Sequence, residues 1–60
     1  MEYLIVDLSM PEPYGKFIWS PSVGHATPFA SSIEADAVKA LIPDATDVTD
    51  IGGNWYVVKK

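Results

Sequence analysis

The sequence predicts a small α+β domain in the order β-β-α-β-β, with a four-stranded, mainly antiparallel sheet and one helix across one of its faces. Three observations carry that expectation. An aliphatic run stands near the start at Tyr3–Leu8, Ser31 and Glu34 frame the entry to an apolar periodic segment, and Gly52-Gly53-Asn54 separates two runs rich in β-branched and aromatic residues. The 60 residues are expected to form a single domain, because so short a chain has no room for a second core.

Tyr3–Leu8 is interrupted only by Asp7, which suits a strand in the middle of its sheet. Met10-Pro11-Glu12-Pro13-Tyr14-Gly15 should end it, since proline cannot donate to a ladder and Gly15 can take the positive φ of a turn. Lys16–Ser20 then reads as a short second strand, antiparallel to the first, with Phe17 and Trp19 on one face and Ile18 on the other. The helix is expected over Ser32–Ile42, opened by the Ser31/Glu34 capping box and stopped by Pro43. Its apolar residues Ile33, Ala37, Val38, Leu41 and Ile42 are expected to face the sheet, so Ile33→Ala or Leu41→Ala should cost about 2–5 kcal/mol. Asp47–Ile51 and Trp55–Val58 form the last hairpin. A two-residue turn would set Val48 opposite Val57 and a three-residue turn opposite Val58, and the sequence leaves both registers open.

Ordering a chain of this length costs on the order of 90 kcal/mol, at about 1.5 kcal/mol per residue. There is no cysteine to cross-link it, and a lone histidine builds no structural zinc site. The apolar content is 48%, with two Trp, three Tyr and two Phe, and one helix covers only one face of a sheet. An apolar second face points to a homo-oligomer, a dimer in the simplest case.

The net charge is −4, with four lysines and no arginine. Arginine supplies the planar fork that grips phosphate and guanine edges, so nucleic acid is an unsuited partner. The eight acids are scattered rather than massed, which disfavours mimicry of DNA. The opening Met1–Asp7 lacks a basic leader, and no run approaches the roughly 20 apolar residues that span a bilayer. The expected location is the cytoplasm, with no membrane partner, and the chain reads as a complete short product.

The long connection Ser20–Ser31 holds the main functional candidates. It carries the only histidine, two prolines, and a phenylalanine with no evident place in a regular element. From it and its flanks we select Trp19, Ser22, His25, Thr27, Phe29 and Trp55 as binding residues. Each has a plainer reading. His25 lacks a nucleophile elbow or paired carboxylate and suits a surface histidine bonded within its own loop. Trp19, Trp55 and Tyr56 could stack a base, but large aromatics in so small a domain also make its core. Asp44, Asp47 and Asp50 lack the alternate spacing, glycine and glutamate of a calcium loop, and Gly52-Gly53 opens no phosphate-binding helix. No metal, cofactor or catalytic residue is expected.

The expected function is therefore non-enzymatic: a module that binds another protein and inhibits or modulates it through the Ser20–Ser31 loop, or failing that through a sheet face around Trp19 and Trp55. In size and charge alone it is similar to virus-encoded regulators of bacterial hosts. The alternative is a small-molecule or nucleotide-sequestering protein with a pocket between subunits, lined by the same loop and by Tyr14 or Tyr56.

Overall fold

In a computed structural model, which describes residues 1–7 and 17–60, four strands form one antiparallel sheet and a helix packs on one side. The strands are β1 (Glu2–Val6), β2 (Phe17–Ser20), β3 (Asp47–Ile51) and β4 (Asn54–Lys59), and α1 spans Ser32–Lys39. The spatial order is β2-β1-β4-β3, so the first strand, apolar from Tyr3 to Val6, is central, as that run suits. Leu8, the Met10–Gly15 turn, Tyr14 and Lys16 lie outside the described residues.

Ladder register assigns every side chain to a face. Leu4 pairs with Trp19 and Val6 with Phe17, while Glu2 pairs with Lys59. Val57 and Trp55 therefore share a face with Leu4, Val6, Trp19 and Val48. This is the helix side. Leu4, Ala35, Ile42 and Val57 make its buried centre, with Val6, Trp19, Phe29, Val38, Ala45, Val48 and Trp55 packed around them. The opposite face holds Tyr3, Ile5, Ile18, Tyr56 and Val58, and the rings of Tyr3 and Tyr56 meet edge to face at 6.5 Å. Trp19 and Trp55 thus flank the helix-covered core rather than an open sheet face.

The hairpin register resolves to the shorter turn. Ile51 pairs with Asn54 and Val48 with Val57. Gly52 and Gly53 have φ of 60° and 88°, the left-handed pair that a two-residue turn matched to strand twist demands and that side chains resist. Asn54 is thereby released to begin β4.

The helix begins as expected and ends sooner. Ser31 Oγ accepts from the Glu34 N–H at 3.3 Å, and the Glu34 carboxylate reaches back to the Ala30 N–H at 3.1 Å, one residue before the usual reciprocal partner. After Lys39 the chain tightens: the Leu41 and Ile42 N–H groups donate to the carbonyls of Val38 and Lys39, three residues back. That tightening, and not Pro43 alone, ends α1 before the expected Ile42.

The buried face of α1 is also different from expectation. Ala35 is fully buried and Ile42 nearly so, with Val38 half-buried between them, whereas Ile33 is 79% and Leu41 71% exposed. The five residues expected to face the sheet span about 180° of a helical wheel, and a helix on a sheet buries a narrower stripe. Ala35, Val38 and Ile42 occupy about 60° of the wheel, and the small Ala35 lets the helix settle close over β3 and β4. Ile33, Ala37 and Leu41 are left on the outside.

Candidate functional site

The Ser20–Ser31 connection is built into the sheet. β1 and β4 pair through Glu2↔Lys59 and Tyr3↔Val58 and then part. The connection fills the opening. Thr27 N–H donates to the Leu4 carbonyl at 3.0 Å, and Thr27 Oγ1 accepts from the Val6 N–H at 2.8 Å. The hydroxyl takes the place of a backbone carbonyl, so the Leu4 carbonyl and the Val6 N–H of β1 are both satisfied without a full strand. Two residues on, Phe29 exchanges both backbone hydrogen bonds with Trp55, at 2.8 and 2.9 Å.

These contacts divide the selected residues. Thr27, Phe29 and Trp55 form the wedge between the two central strands, and Phe29, Trp55 and Trp19 pack against the buried core. The Lys59 ammonium lies 5.6 Å from the centre of the Trp19 ring, an arrangement that covers part of the indole with a cation. Ser22 and His25 stand apart from this group, exposed at a single 3-10 turn over Val23–His25. Ser20 and Ser22 tie the turn locally, the Ser22 N–H donating to Ser20 Oγ at 3.1 Å. The His25 N–H closes onto the Ser22 carbonyl at 3.3 Å, while its ring has no hydrogen-bond partner among the described residues. The His25 ring is thus hydrogen-bonded to no nucleophile or carboxylate among the described residues. Among the described residues, no group of three or more histidine, aspartate or glutamate side chains could hold a metal ion, and no helix is long and apolar enough to cross a membrane.

The largest exposed apolar side chains on α1 and its C-terminal turn were not among the selected residues. Ile33 and Ala37 lie about 40° apart on the helical wheel of α1, and Leu41, exposed on the tightened turn after Lys39, continues the four-residue spacing. Single exposed apolar residues are ordinary, but an aligned set is a surface. The sequence carried its signal in the excess of apolar residues on α1 over what one buried stripe can use. No family model, curated protein or solved structure matches the chain.

Proposed function

We propose that this chain is a small non-enzymatic protein-binding domain that modulates another protein, and that its contact surface is the outer face of α1. One observation carries the reading: Ile33 on the first turn of α1 and Leu41 on the tightened turn that follows its last residue, two large aliphatic side chains, stand 79% and 71% exposed. Moved from water into an interface, each gains roughly 1.5–3 kcal/mol. The loop residues Ser22 and His25 are exposed on a separate turn and could contribute at the margin, whereas Thr27 and Phe29 are engaged in holding β1 and β4.

Affinity capture from the cell of origin tests this directly. Wild type should retain a specific protein, and Leu41→Asp should retain about tenfold less or worse, because a charge is costly at the centre of an apolar contact. The melt of Leu41→Asp should match wild type, as the side chain is outside the core. A variant that captures as well as wild type, or a wild type that retains no protein, would refute the proposal.

Self-association is the second reading, favoured by the sheet face opposite α1, where Tyr3, Ile5, Ile18 and Tyr56 are clustered. The pocket between subunits considered for a small ligand depends on it. Sedimentation at micromolar concentration should then show a dimer that Ile18→Asp converts to monomer; a wild type that sediments only as monomer removes both ideas.

A further inference from the structure

Resting on α1 as the contact surface, we infer that its occupant is an apolar groove with a basic rim on a different protein. Ile33 on the first turn of α1 and Leu41 on the tightened turn just past its end are separated by roughly 12 Å or slightly more along the axis, with the small Ala37 between them. This is the spacing of a helix laid into a groove, two anchors in pockets and a close approach at the middle.

Charge decides among occupants. On the helical wheel Glu34 lies about 60° to one side of Ala37 and Asp36 about 100° to the other, and both are exposed. Lys39, the only cation of α1, is half-buried about 160° away, toward the sheet. The apolar stripe is thus bordered by carboxylates on both flanks. A second copy is a poor occupant, because antiparallel pairing centred on Ala37 lays the Glu34 flank of each copy along the Glu34 flank of the other and the Asp36 flanks likewise, like charge along like charge. An anionic membrane surface repels the same carboxylates. Lysines or arginines along the rim of an apolar groove complement both flanks at once and speed the encounter.

A photo-cross-linking amino acid at position 37, activated in the cell of origin, tests the occupant. The adduct should map to an apolar segment of another protein that also carries Lys or Arg. The captured protein, once purified, should bind E34Q/D36N about tenfold more weakly than wild type at about 50 mM salt, with the gap closing at about 500 mM as charges are screened. Glutamine at 34 keeps the carbonyl that caps the helix, so the fold is preserved. Asp36→Asn alone, which leaves that cap untouched, should show a smaller loss of about threefold. An adduct with a second copy, with lipid or within the same chain overturns the inference. So does a captured protein that binds E34Q/D36N as tightly as wild type. If Leu41→Asp loses that protein while E34Q/D36N keeps it, the contact surface stands and the basic rim fails; if Leu41→Asp keeps it too, both readings fail.

Discussion

Leu4→Ala is expected to leave the chain largely unfolded, while Leu41→Ala stays as stable as wild type to within about 0.5 kcal/mol. Leu4 is completely buried on the central strand and touches the heart of the core that Ala35, Ile42 and Val57 complete. Cutting a buried leucine to alanine costs about 2–5 kcal/mol, the transfer energy of the lost atoms plus the cavity they leave. A core this small supplies no more than about 3–5 kcal/mol of net stability, so even the lower end of that cost removes most of it. Leu41 lies on the same wheel stripe as Ile33 and is 71% exposed, so its truncation opens no cavity. Urea melts of the two variants side by side are the check. Equal destabilisation would mean that the outer face of α1 is packed after all, and with it the proposed contact surface would go.

The contrast between these leucines also marks how far the sequence could be read. Local signals transferred well: the cap at Ser31, the aliphatic central strand and the Gly-Gly turn each follow from a few neighbouring residues and their own backbone preferences. The buried side of α1 did not, because Ile33/Ala37/Leu41 and Ala35/Val38/Ile42 are both apolar arcs at helical spacing. Which one turns inward depends on where β3 and β4 lie and how the chain leaves Lys39. Periodicity is silent on that. The hairpin register had the same character, since Gly52-Gly53-Asn54 suits either turn until both glycines take positive φ and Asn54 joins the ladder.

Least legible was the wedge, and it supports the second large effect: Phe29→Ala should destabilise the domain severely, by an amount at or just below the roughly 3–5 kcal/mol typical of a fully buried phenylalanine. Phe29 is half-buried against the core and sits where β1 and β4 have separated. Its backbone bonds to Trp55 survive the substitution, but the ring that holds the segment down does not. Thr27 provides the complementary measurement. Thr27→Val keeps the shape and deletes the acceptor of the Val6 N–H, leaving a donor inside the sheet without its 2.8 Å partner, at a cost of about 1–3 kcal/mol. Thr27→Ser restores the hydroxyl and should recover most of that loss. His25→Ala, on the exposed turn, should leave the melt unchanged. These four substitutions separate a loop that spans the sheet from a loop that merely decorates it. A melt in which Phe29→Ala and Thr27→Val behave like His25→Ala would show that β1 and β4 do not need the wedge. Thr27 and Phe29 would then be free to act as binding residues in their own right.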